Sequence, residues 1–244
     1  MEHEFWLTRI FNEYLGGALT SFLTSIGHPP ADAAHPWPDS IVVEILVVAI
    51  IIFLFAMLRA RLSVEKPGKL QMTFETLYNF VSGQTHDSVD HGAAKYVSFF
   101  GTLFVFILFM NLIGIIPGVE SPTMTPAVPL GLAVSVFLYY NWMGFRAQGV
   151  GKYLAHFAGP IWWMAPLMIP IEIISHLARP LSLTVRLYAN MFAGEMVTVT
   201  FLSLTFFAVP VIFMGLHLFV AFLQAFIFML LAMIYVGGAV AEEH

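Results

Sequence analysis

The 244 residues are 59% hydrophobic and only 10% charged, against roughly 45–50% and about 25% in water-soluble domains; so little charge cannot cover a water-facing surface of this size. A mean hydropathy of +0.84, with the apolar residues in long blocks, makes the chain an all-α integral membrane protein. Cysteine is absent, which excludes disulfides and thiolate metal sites, and ten basic against fifteen acidic residues leave no basic surface for nucleic acid.

Residues 1–40 form an outer-side segment. They begin without the basic stretch of a signal peptide, so they are expected to persist in the mature protein. Residues 5–26 suit a weakly amphipathic surface helix, and the proline-rich 28–38 a stiff connector. A single membrane domain over 41–244 follows. Its first span is 41–58, apolar except for Glu44. Arg59, Arg61, Lys66 and Lys69 then mark the cytoplasmic side by the positive-inside rule, which puts the amino terminus outside. Leu70, Phe74, Leu77 and Val81 recur at helical spacing among polar residues, as in an interfacial helix over 70–85. Residues 96–116 cross outward and 127–145 return, ending at Arg146 and Lys152. Seven of the ten basic residues (with Lys95) fall inside and Arg9 outside; Arg179 and Arg186 remain.

Residues 160–236 are almost wholly apolar, with Glu172, Arg179, Arg186 and Glu195 as the only formal charges. A helix from 160 to 209 would be roughly 75 Å long, so it must tilt strongly, break at Pro160, Pro166, Pro170 or Pro180, or cross twice; the residues alone leave these paths open. An ionisable group at membrane depth costs about 2.5–3.5 kcal/mol and usually faces protein or an aqueous cavity. At 100° per residue Glu172, Arg179 and Arg186 share one stripe, with Asn190 nearly in phase and Glu195 opposite. His217, Gln224 and Tyr235 share a face of the last apolar block. In an antiparallel hairpin, residues at equal depth have a constant index sum. Arg186 with Gln224 gives 410 and Glu195 with His217 gives 412, placing the turn near Thr205 and Phe206. Such a stripe suits either buried polar pairing or an ion path. In a path, Arg186 would be the barrier, because a guanidinium does not surrender its proton, and the carboxylates and His217 the conduits.

The run Pro180-Leu181-Ser182-Leu183-Thr184-Val185-Arg186-Leu187-Tyr188-Ala189-Asn190-Met191-Phe192-Ala193-Gly194-Glu195 resembles the signature of subunit a of rotary F-type ATP synthases. Leu223-Gln224-Ala225-Phe226-Ile227-Phe228 is similar to that family's second signature, and Pro67-Gly68-Lys69, Met110-Asn111-Leu112 and Glu242-Glu243-His244 extend the likeness over nearly all of the chain from Pro38. The resemblance implies about five membrane-embedded helical segments plus the interfacial helix, the last two long and tilted as a hairpin over 160–240. It implies a stator with two proton half-channels beside a rotating ring of c subunits, proteolipids that each bear one carboxylate. Peripheral stalk b subunits and the remaining ATP synthase subunits are the other expected partners, in a bilayer, with the bacterial inner membrane as the expected location and the carboxyl terminus cytoplasmic. By position, Arg186 meets the ring carboxylate; Glu195 and His217 match the outer channel; Asn190 and Gln224 stand beside the arginine; Glu172 and Ser175 match the inner channel. No catalytic residue, metal or cofactor is expected, since the chain has no Walker-type phosphate loop.

Two places depart from the family pattern: Pro126-Ala127-Val128-Pro129 stands where many members carry Asp or Asn, and Gly114 where some carry an acid. The outer entrance is therefore expected to be lined differently. His176, four residues after Glu172, is expected to be a local partner through packing or hydrogen bonding. His86, Asp87, Asp90 and His91 have ligand types at helical spacing but no apolar shielding, so a solvated turn is the expectation. The alternative of a self-sufficient transporter lacks the two similar halves with matching interrupted helices.

Overall fold

The computed structural model describes residues 5–27, 32, 35–89, 92–116, 118–156, 164–204 and 208–241. Among them it has eight α-helices: α1 (Trp6–Ser25), α2 (Asp39–Ala60), α3 (Lys69–Ser88), α4 (Ala94–Ile113), α5 (Ala127–Gln148), α6 (Val150–His156), α7 (Ala165–Leu204) and α8 (Ala208–Val240), with a 3₁₀ turn at Pro122–Met124. Five of them, α2, α4, α5, α7 and α8 from Val211, are long and apolar enough to cross a membrane. This is the expected count. Two elements were not anticipated: the short α6 and the 3₁₀ turn.

Local chemistry sets the boundaries. Helix α2 starts after Pro38 with Asp39 in its first turn and ends with Arg59 in its last, so both charges complement the helix dipole. Helix α5 stops at Gly149, whose φ of 79° no β-carbon-bearing residue adopts readily and whose N–H donates to the Phe145 carbonyl at 3.0 Å. Helix α1 is held to the start of α2 by side chains. Asn12 exchanges two hydrogen bonds with the Trp37 backbone, and the Phe5 N–H donates to the Asp39 carboxylate.

Helix α7 settles one question that the residues left open. Pro170 and Pro180 lie inside it, yet it runs unbroken for 40 residues. Each proline removes one intrahelical hydrogen bond, a loss that membrane helices tolerate where neighbours compensate. At roughly 60 Å, a helix of that length stays within a core about 30 Å thick only by tilting. Residues 160–163, with Pro160, and the turn residues 205–207 lie outside the described part.

Helix α8 is the centre of the bundle and packs against α3, α4, α5 and α7. Ala221, Ala225, Phe228, Met229, Ala232, Met233, Val236 and Ala239 are buried on it, spaced as one apolar stripe whose alanines let neighbouring helices approach closely. Facing them are Phe100, Phe104, Ile107 and Met110 of α4, Ala133, Val136 and Tyr140 of α5, and Leu183, Leu187 and Met191 of α7. Helix α3, expected at the interface, lies across α4 and α8 through Phe80, whose ring meets Phe104 and Phe226.

The two ends of the bundle differ. At one, Gln148 donates to the carbonyls of Ala239 and Ala241, and the Ser88 carbonyl lies so close to Gly237 that a β-carbon there would come within 2.5 Å. Phe99 stacks on Tyr139 at 3.6 Å, which brings the start of α4 to the same end. Lys95 and Arg146, on these segments, therefore lie at this end. At the other end, buried Asn111 donates to the Ala221 carbonyl and accepts from Thr123, while Ser121 donates to the Met110 carbonyl. Gly114 is explained there: a β-carbon would come within 2.7 Å of the Ser121 side chain.

Gly144 marks the tightest junction, because a β-carbon would run into the Tyr153 ring and within 3.1 Å of the Ala239 carbonyl. Gly144→Leu is expected to destabilise the protein by about 1–3 kcal/mol through overpacking. Gly131→Leu, on the open face of α5, is expected to leave stability unchanged. Thermal unfolding midpoints in detergent compare the two.

Candidate functional site

The antiparallel pairing of α7 and α8 places the polar residues of both. The Gln224 side-chain amide, 3% exposed, donates to the Arg186 backbone carbonyl at 3.1 Å. This fixes the two helices at the register inferred from the index sum of 410. The Arg186 side chain is exposed, on a face it shares at helical spacing with exposed Ser182, Ala189, Asn190 and Ala193. Among the described residues no carboxylate pairs with it. Leu183, Leu187 and Met191 occupy the buried side of the helix.

Two helical turns beyond Arg186, the buried ring of His217 lies against Gly194: a β-carbon at 194 would come within 2.6 Å of Nδ1. The contact gives an index sum of 411, between the two values inferred from the sequence. Glu195, the next residue, is half-buried, and the charge of exposed Glu120 reaches it from the loop before the 3₁₀ turn. The His217 Nε2 is buried without a hydrogen-bond partner among the described residues, so Glu195 does not bond to it. Glu195 and His217 are thus at equal depth without being bonded, about 13 Å along the axis from Arg186.

On the other side of Arg186 is a cluster that the sequence showed only in part. Glu172 lies 3.7 Å from the Arg179 guanidinium and 3.9 Å from His176 Nε2. The other ring nitrogen of His176 is 2.7 Å from the Tyr140 hydroxyl, and the two rings stack. The Arg179 guanidinium lies 5.8 Å from the ring centre of Tyr140 and 5.4 Å from that of Tyr235, cation–π contacts of roughly 0.5–2 kcal/mol each. Beside them the Tyr153 hydroxyl donates to the Asn141 side chain at 3.0 Å. Burial pushes the Tyr153 phenol up to about 12; Tyr140 and Glu172 add to the rise and Arg179 opposes it.

Of the residues singled out in the sequence, Arg186, Gln224 and Asn190 are brought to one level, Glu195 and His217 to a second, and Glu172 to a third. Ser175 is half-buried on α7 and outside the bonded cluster. Tyr235, on the face of His217 and Gln224, likewise meets α7, at Arg179. Their index sum of 414 carried that signal. His176 is buried because it is seven residues before Leu183 and eleven before Leu187, on the same face. Tyr140 had no signal, since nothing in the sequence sets α5 in register with α7. His86 bonds through Nδ1 to the Ser82 carbonyl at 2.7 Å, and Asp90 and His91 lie outside the described residues, as does the terminal 242–244.

The family model for the ATP synthase A chain matches residues 41–237. The chain is 58% identical over 235 residues to ATP synthase subunit a of Solibacter usitatus, covering 96% of this chain and 100% of the relative. It is 47% identical over 244 residues to that of Koribacter versatilis, with 100% of both chains covered, and 42% identical over 202 residues to that of Helicobacter hepaticus, covering 82% and 89%.

The register of the hairpin is open to a direct check, because the chain has no cysteine of its own. A short thiol-to-thiol cross-linker is expected to bridge Gly194→Cys with His217→Cys within the chain. It is expected to leave Gly194→Cys with Gln224→Cys, displaced by two turns, unbridged. Gel mobility after proteolysis between α7 and α8 reads the result.

Proposed function

The chain belongs to the ATP synthase A chain family, and from that premise we propose that it is the stationary partner of a rotating ring of carboxylate-bearing c subunits, past which it guides protons along two offset half-paths. Membership places it in the membrane sector of the ATP synthase complex, in ATP synthesis and proton transport.

The observation that carries the reading is Arg186: a cation exposed on the outer face of a membrane helix, without a paired carboxylate among the described residues, held in register by the Gln224 bond. Such a charge is costly against lipid and stabilised against an arriving carboxylate. A ring carboxylate beside Arg186 is favoured in its charged form and releases its proton there; elsewhere, facing lipid, it is neutral. Arg186 keeps its own proton, so it separates the half-paths instead of joining them. Glu195 and His217 serve the outer half-path and Glu172 and Ser175 the inner one, with Asn190 on the ring-facing side and Gln224 behind the helix. By the positive-inside rule, the basic residues between α2 and α3 and after α5 assign the cytoplasmic side in this reading, with the carboxyl terminus there and the amino terminus outside.

The gradient supplies about 2.3 kcal/mol per proton per 100 mV. Rotation delivers that energy to catalytic subunits elsewhere in the complex, and this chain performs no hydrolysis itself. Peripheral stalk b subunits hold it against the torque.

Arg186→Ala is expected to leave the complex assembled and to abolish proton-driven ATP synthesis in reconstituted vesicles; normal coupled synthesis would remove Arg186 from this role. Glu195→Leu and His217→Leu are each expected to lower passive proton flow on the order of 10²-fold, the effect of losing a proton-transfer group. Unchanged flow in both variants would remove the pair from the outer path.

A further inference from the structure

The cluster around Glu172 holds more than a carboxylate. His176 is 8% exposed, buried where α5, α7 and α8 meet. One ring nitrogen is tied to the Tyr140 hydroxyl at 2.7 Å, and the other faces Glu172 Oε1 at 3.9 Å. The ring is thus fixed at one nitrogen while the second is directed at a carboxylate. Arg179, between the faces of Tyr140 and Tyr235, holds that carboxylate from the other side at 3.7 Å. Among the described residues, the charged and titratable groups facing His176 are Glu172 and Arg179 from its own helix and Tyr140 from α5. Behind them stand Tyr235 of α8, against Arg179, and Tyr153 of α6, bonded to Asn141.

A group that hands protons to a near-neutral compartment works best when it titrates near that pH. Ordinary carboxyls titrate near 4.3 and phenols near 10, whereas an imidazole titrates near 6.5. His176 is the one group of the cluster whose class changes charge between about pH 5 and 8.

We propose that His176 is a proton-carrying partner of Glu172, so that the pair, rather than the carboxyl alone, exchanges protons at the basic end of the bundle. In the exchange Nδ1–H donates to the Tyr140 oxygen, so that Nε2 carries the lone pair; as Nε2 and Glu172 Oε1 close from 3.9 Å to hydrogen-bond reach, the carboxyl loses its proton to Nε2, giving carboxylate and imidazolium. The reverse transfer returns it to Glu172, whose half-exposed carboxyl releases it at that end. Tyr140 holds the ring so that Nε2 faces the carboxylate, and Arg179 is a positioning residue for Glu172. The inference rests on the proposed inner half-path through Glu172.

The test uses the complete ATP synthase in vesicles, with proton-driven synthesis measured against pH on the side of the basic end. Taking each variant's rate relative to wild type removes the pH dependence of the catalytic head. His176→Gln keeps a hydrogen-bonding side chain but cannot titrate. Its relative rate is expected to change by about threefold or more between about pH 5 and 8, along the titration of one group. A relative rate that is constant with pH, whether at one or at a uniformly lower value, would assign His176 a packing role only and overturn the proposal. Should His176→Gln fail to assemble, Tyr140→Phe decides. This variant keeps the ring and removes the hydroxyl, and its relative rate is expected to depend on pH in the same window, while a constant value overturns the proposal. Arg186→Ala in the same preparation separates the two levels. If it is inactive while the His176→Gln ratio is flat, only the role of His176 falls; if it is active, the proposed function falls.

Discussion

The bond from the Gln224 amide to the Arg186 carbonyl is the constraint on which the site depends. Apolar packing between α7 and α8 would tolerate a slide, because leucine, methionine and phenylalanine fill many registers about equally well. A buried amide would not: moved by one turn, about 5.4 Å, it would be left without a partner in an apolar core. A hydrogen bond of this kind is worth only about 1 kcal/mol net, but its loss leaves a desolvated polar group, and that penalty sets the register. With the register fixed, His217 meets Gly194 and Tyr235 meets Arg179.

The two arginines of α7 are seven residues apart, about 10 Å along the axis, and only about 20° apart in phase, yet their surroundings differ. Arg179 is paired with Glu172 and packed between two tyrosines from other helices. Arg186 has no carboxylate counterpart among the described residues and is exposed on the face of Ser182, Ala189 and Ala193. Pairing one cation with its counter-charge keeps it from competing for an anion that approaches the other. In the proposed function that division lets one ring carboxylate at a time find a single cation on the face of α7, while Arg179 serves the carboxylate path beneath it.

Much of this was legible in the sequence because the membrane makes strong demands. Spans appear as apolar blocks, and charges inside them stand out by scarcity. The pairing of Arg186 with Gln224 was one of two pairs that matched once an antiparallel hairpin, which the family resemblance implies, was supposed. What was hidden depended on tertiary registers that no local rule sets. Tyr140 reaches His176 only because α5 packs beside α7 at one particular height, and the unbroken course of α7 through Pro170 and Pro180 depends on support from its neighbours. The role of Gly114 became clear only when Ser121 was found against it. Proline content alone left a tilt, a break and a second crossing open, and the unbroken α7 selects the tilt.

The central claim is that the face of α7 bearing Arg186 meets the carboxylate of a rotating ring subunit. Cysteine cross-linking tests it most directly, since any thiol placed in this chain is the only one. With a second cysteine beside the ring carboxylate, Asn190→Cys, on the exposed face one turn from Arg186, is predicted to form a disulfide with the ring subunit in assembled membranes. Leu187→Cys, buried within the bundle, is predicted to form none. Cross-linking from position 187 with none from position 190 would contradict the account.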